Sequence, residues 1–104
     1  MKQGGKLLYL AAAREDILDI ARFHLEKVGP KSARKITEEI ERKILKLADF
    51  PLLGPSHPDE VLANHGYRKL VLLSPYVCIY KPIDGDVYIY RIVNGAIDYP
   101  KLLY

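Results

Sequence analysis

Several things are scarce in this sequence, and each scarcity closes off an option. There is one cysteine among the 104 residues, Cys78, so no internal disulfide can form and the chain suits a reducing compartment. No apolar run approaches the length that spans a bilayer. The opening "MKQGGKLLYLAAARED" has only a short apolar stretch before charge interrupts it, which does not make a signal peptide. These features point to a cytoplasmic protein with no membrane partner. Charge of one sign is also scarce. The net charge is +3, and residues 51–104 carry five Lys/Arg against five Asp/Glu. A phosphate-binding face needs a local excess of cations. What surplus exists lies in residues 1–50, interleaved with acids, in the pattern of a solvated surface.

What is present is an ordinary globular composition, 49% hydrophobic and 28% charged, sufficient for one domain over residues 1–104. "KLLYLA" (6–11) is an apolar run of strand length. From Ala13 the period becomes helical, with Ile17, Ile20, Ala21, His24 and Val28 on one stripe and Glu15 and Asp16 expected in the first turn. Gly29 and Pro30 end that helix, and Pro30 is tolerated at the start of a second. Its buried stripe is Ala33, Ile36, Ile40, Ile44 and Leu47, and Phe50-Pro51 stops it. The proline-broken stretch 51–66 reads as a loop with a brief helical turn near Val61. Three strands follow, at 67–73, 76–81 and 87–93, the last two joined by a tight turn at Asp84-Gly85. The order β-α-α-β-β-β predicts an α+β fold: a small, mostly antiparallel sheet with a helical hairpin packed on one face.

Local chemistry is sparse. His57 and His65 flank Asp59 and Glu60, but so irregular a spacing on a broken loop matches no metal-ligand pattern, and these residues are expected to be exposed loop polar groups. No metal or cofactor is predicted. His24 sits on an apolar stripe and reads as partly buried packing, and Cys78 as inert mid-strand packing. Tyr76, Tyr80, Tyr88 and Tyr90 fall on strands and are expected to be mostly structural. Tyr99 and Tyr104 follow the last strand and are expected to be less constrained, hence better placed for contact with a target. Arg91 and Asp98 could pair and pin the tail to the sheet, or could themselves bind a target.

Four segments in order, "AREDILDIARFHLEKVGPKSARK", "LADFPLLG", "GYRKLVL" and "YVCIYKPIDGDVYIYRIVNGAIDYPKLL", resemble the RelE/ParE superfamily of type II toxin–antitoxin toxins over nearly the whole chain. The resemblance implies a toxin neutralised by a cognate antitoxin lodged in an apolar groove between the helical hairpin and a sheet edge. It implies one of two activities. RelE-like members cleave mRNA on the ribosome, using Lys, Arg and Tyr from the sheet and tail. ParE-like members inhibit DNA gyrase by binding. If RNA were cleaved here, Arg68, Lys69, Arg91 and Tyr99 would have to do the chemistry. The family's other basic positions fall on Leu70, Val77 and Ile97, and an adjacent strand residue points to the opposite face. The tail "RIVNGAIDYPKLL" is similar to the ParE-like "RIVHGARDYPRLL", with Asn94 for a common His and Ile97 for a common Arg. That likeness favours the binding mode, with Arg91, Asn94, Asp98, Tyr99 and Tyr104 as the target-binding set. A third possibility is an attenuated toxin that retains only antitoxin binding.

Overall fold

The computed structural model describes residues 5–104. Strand β1 (Leu7–Tyr9) leads into helices α1 (Ala11–Lys27) and α2 (Pro30–Leu45), the second tightening into a 3₁₀ turn at Lys46–Ala48. A short α3 (Glu60–Asn64) interrupts the long loop. Strands β2 (Arg68–Val71), β3 (Tyr76–Ile83) and β4 (Asp86–Asn94) follow, and a 3₁₀ turn at Pro100–Leu103 closes the chain. The fold is the α+β arrangement the sequence predicts.

The sheet order is β1-β4-β3-β2, with β1 parallel to β4 and the other pairs antiparallel. Asp84 (φ 51°) and Gly85 (φ 87°) are both in the left-handed region, as a two-residue hairpin turn requires between Ile83 and its partner Asp86. A bulge places Ile79 opposite Arg91 but Tyr80 opposite Ile89, so Tyr90 is the extra residue on β4. Ile89 and Ile92, three apart, consequently both face the helices.

Gly29 joins the helices. With φ at 144° it occupies a conformation that a side chain resists; its N–H reaches the His24 carbonyl, and its own carbonyl accepts the Ala33 amide. α2 buries Ile36, Ile40 and Ile44, and Leu47 extends the stripe into the 3₁₀ turn. These residues pack with Ala13 and Ile20 of α1 onto Cys78, Tyr80, Val87 and Ile89 of the sheet. His24 bridges the layers, with Nδ1 3.3 Å from Ser32 Oγ and Nε2 3.3 Å from Tyr76 Oη.

The structure corrects two sequence-based expectations here. α1 starts at Ala11, because Leu10 already donates its N–H to the Ile89 carbonyl; Glu15 and Asp16 therefore lie beyond the first turn. Val28 leaves helical geometry (φ −125°) and is 73% exposed, off the buried stripe. The sheet is also covered on both faces. Away from the helical hairpin, Leu62 of α3 and Tyr99 of the tail pack with Tyr67, Val77, Ile79 and Val93 in a second cluster.

Candidate functional site

The residues expected to act on a target are dispersed, and most have local partners. Arg91 leans off the bulge of β4 to Asp16 of α1, with Nε 2.7 Å from Oδ2 and Nη2 2.9 Å from Oδ1. The same carboxylate accepts the Ile92 N–H at 2.9 Å. β1 covers β4 only as far as Ile89, so Asp16 satisfies an edge amide that no strand reaches. The Arg91–Asp98 pair, one of the two readings the sequence allows, gives way to a bidentate contact that ties helix to sheet; Asp98 is exposed.

Arg68 is occupied as well. Its Nε donates to the Gly54 carbonyl and its Nη2, at 3.4 Å, reaches toward that of Leu52. The fully buried Tyr80 works on the same loop, donating to Pro51 O at 2.8 Å and accepting the Gly54 N–H at 2.9 Å. Gly54 lies so close to β2 that a Cβ there would stand 2.6 Å from the Lys69 carbonyl. Leu70 packs against the helix-side core and Val77 belongs to the second cluster, so neither strand position is free to be replaced functionally by a neighbour.

The tail divides into two kinds of residue. Asn94 turns the chain: its Oδ1 accepts the Ala96 N–H (2.9 Å) and its carbonyl accepts that of Ile97 (3.1 Å). Tyr99, expected to be free, is 5% exposed and its Oη lies 2.8 Å from His57 Nε2. His57, expected to be an exposed loop residue, is 4% exposed. Its Nδ1 accepts the Asp59 N–H (2.9 Å), so in the neutral ring Nε2 carries the proton and donates to Tyr99. Burial, reinforced by the Lys69 charge, lowers the His57 pKa against a smaller opposing effect of Asp59. Burial raises that of Tyr99, with Asp59 adding to the shift. Asp59 caps α3 through the Leu62 N–H and takes the hydroxyl of Tyr104 at 2.8 Å. Tyr104 itself is 62% exposed.

Solvent therefore meets Ile97, Asp98, Leu102 and Tyr104 at this end of the molecule. The exposed apolar pair Ile97 and Leu102 carries no periodicity by which sequence alone could mark it. On the open part of the same sheet face, Lys81 Nζ stands 4.2 Å from the Tyr67 ring centre and 5.4 Å from that of Tyr90. Cys78 is fully buried, with its thiol pKa raised by burial. Among the described residues no cluster of three metal-ligating side chains occurs, and no helix is long and apolar enough to cross a membrane.

The family model described as "ParE toxin of type II toxin-antitoxin system, parDE" matches residues 7–99. The chain belongs to the ParE toxin family. The match runs from the first residue of β1 to the buried Tyr99 and so includes both faces of the sheet. Among solved structures, a chain of the chromosomal ParDE toxin–antitoxin system from P. aeruginosa shares the fold with a TM-score of 0.76. It is 23% identical in sequence, and the match covers 89% of this chain and 98% of that one. No curated protein matches the chain. As a member of the ParE family, the chain is the toxin component of a type II toxin–antitoxin system.

Proposed function

We propose that this ParE-family toxin acts by binding its target, with DNA gyrase as that target, and that a cognate antitoxin neutralises it. The reading is carried by one observation: three of the four residues that RNA cleavage would need are held in structural contacts. Arg68 binds the 52–54 loop, Arg91 binds Asp16, and Tyr99 is buried against His57. Cleavage through a 2′-hydroxyl needs a proton acceptor, cations on the phosphate and an acid for the leaving oxygen, converging on one point. Lys69 alone does not provide that. The exposed end of the tail suits docking, with Ile97 and Leu102 supplying apolar area beside Asp98 and Tyr104.

Induced expression in a bacterium without the antitoxin, followed by pulse labelling, tests this. DNA synthesis should fail first, with a DNA-damage response, and purified toxin should inhibit gyrase supercoiling. Protein synthesis failing first would return the ribosome and mRNA as the target. No change in either would leave an attenuated toxin whose role lies in the antitoxin complex. Deleting residues 99–104 is a poor probe of the tail, because Tyr99 belongs to the core. Ile97→Asp together with Leu102→Asp alters only exposed side chains and should abolish gyrase inhibition while leaving the folded protein intact.

A further inference from the structure

Past the turn that follows β4, the backbone of the tail is tied to no other element. Among the described residues its last such bond is made by Gly95, whose N–H reaches the Pro75 carbonyl at 2.7 Å. Later bonds are local: the Ile97 N–H returns to the Asn94 carbonyl and the Leu102 N–H to that of Tyr99. Side chains therefore fasten residues 98–104 to the rest of the molecule. The Tyr99 ring and part of Leu103 pack into the second cluster, and two tyrosine hydroxyls reach one short loop. Tyr99 Oη lies 2.8 Å from His57 Nε2, and Tyr104 Oη lies 2.8 Å from Asp59 Oδ2. The exposed Ile97 and Leu102 flank Tyr99 in the chain, so their position depends on that anchor.

The loop is itself held through His57. The His57 N–H donates to the Tyr67 carbonyl at 3.0 Å, and the ring accepts the Asp59 N–H at Nδ1. That contact fixes Asp59, which caps α3 and holds Tyr104. Both hydroxyl anchors thus depend on one neutral imidazole. A second proton on Nδ1 would set donor against donor at the Asp59 amide and place a charge in a buried site. Three groups face the ring: Tyr99 from the tail, Lys69 from β2 and Asp59 from the loop. Lys69 disfavours the added charge, and Asp59 favours it less strongly than burial and Lys69 oppose it. Relief requires the ring to leave its place, which frees Tyr99 and draws the Asp59 carboxylate from Tyr104. Asp59 keeps its own charge meanwhile, because the Leu62 amide and the Tyr104 hydroxyl hold its carboxyl below the ordinary range.

We propose that His57, and Asp59 through it, are positioning residues for the docking surface of the tail, and that proton uptake by His57 releases that surface. The proposal rests on the reading in which Ile97 and Leu102 dock gyrase. The neutral ring holds the tail, and the released form binds the proton more readily than the held form does. Holding is therefore complete above about pH 6.5 and is lost as the pH falls below it. A single proton sets the ceiling, about tenfold in the ratio of held to released tail for each pH unit below about 6.5. Ile97 and Leu102 do not titrate, so the pH response of docking enters through the loop.

The test compares the intact wild-type chain with His57→Asn, whose side-chain oxygen can accept the Asp59 amide but takes up no proton in this range. Magnetic-resonance spectra of carbon-13-labelled tyrosine rings follow Tyr99 and Tyr104 separately, and calorimetry gives the affinity for purified gyrase. Between about pH 7.5 and about pH 5.5 the released fraction of the wild type should rise about tenfold, and gyrase affinity should fall by up to that factor. Measured against His57→Asn, both changes should vanish; the responses of gyrase, His24 and His65 are common to the two proteins and cancel. Tyr104→Phe, at an exposed position, removes the outer anchor without touching the core. Its Tyr99 signal should show release beginning at higher pH than in the wild type, which a merely structural contact would not produce. Identical pH profiles in the wild type and His57→Asn overturn the proposal. Should His57→Asn not fold, coincident profiles for the wild type and Tyr104→Phe overturn it instead. Release of the tail without loss of gyrase affinity overturns the positioning role. If the wild type fails to bind gyrase at about pH 7.5, the docking reading falls, and the tyrosine signals alone decide the rest. A tail that loosens on acidification in the wild type only then upholds release by His57, and a tail that stays fixed overturns it.

Discussion

His57 accepts the Asp59 amide at one nitrogen and donates to Tyr99 from the other, so the neutral ring uses both positions. Protonation converts the accepting nitrogen to a donor facing another donor. The folded-state pKa lies below the ordinary value, so as the pH falls the unfolded chain binds its proton first. Stability from this group is complete above about pH 6.5, the unperturbed histidine value, and is lost as pH falls toward the lower folded pKa. Melting temperature should drop between about pH 7.5 and about pH 5.5 in the wild type, and the share of that drop due to this histidine should vanish in His57→Asn, whose acceptor can keep the Asp59 amide. Tyr99→Phe should cost about 1–3 kcal/mol in denaturant unfolding, because it strands the buried Nε2–H. Asp16→Ala should cost a similar amount, about 1–3 kcal/mol, by removing the partner of Arg91 and of the Ile92 amide at once. None of these partnerships was legible in the sequence. Arg91 and Asp16 are 75 positions apart and His57 and Tyr99 are 42 apart, and no local pattern announces a contact over such distances.

At the scale of elements, legibility followed periodicity. The stripe Ile36, Ile40, Ile44 and Leu47 announces one buried face of α2, and Asp84-Gly85 between two alternating runs announces the β3–β4 hairpin. Both signals are repeated, so both survive in the structure. The cover on the second sheet face has no such signal: Leu62 and Tyr99 are single residues in aperiodic stretches, and only the folded sheet collects them. The same holds for the 51–54 segment, whose position is fixed by Tyr80 and Arg68 from two different strands. Gly54→Ala should destabilise this segment by about 1–3 kcal/mol, because the new methyl meets the β2 backbone, which cannot rotate away as a side chain could. Hydrogen exchange should show the loss of protection concentrated at the Gly54 and Lys69 amides, whose bonds tie loop to strand. Ile40→Ala, in the fully buried centre of α2, should cost about 2–5 kcal/mol and weaken the whole hairpin-to-sheet layer in the same experiment.

For the molecule as a whole, a groove lined by Lys43, Lys46 and Lys69 lies between α2 and β2, and the tail that follows β4 returns to the loop bounding it, with Tyr99 on His57 and Tyr104 on Asp59. The groove lining and the exposed side chains of Ile97 and Leu102 have no residue in common. Ile97→Asp with Leu102→Asp should spare antitoxin affinity, and Lys46→Glu should spare gyrase inhibition by the free toxin; a calorimetric titration beside a supercoiling assay on the same two proteins would check both. The division within the tail has a further consequence, for how such a protein can change over generations. Tyr99 holds the segment down, whereas Ile97, two positions earlier, contributes nothing to the core. If Ile97 docks the target as proposed, a lineage can alter potency there by single substitutions without first acquiring a stabilising change elsewhere. On that reading, harm to the host would be dialled up or down while the protein persists as a partner for its antitoxin.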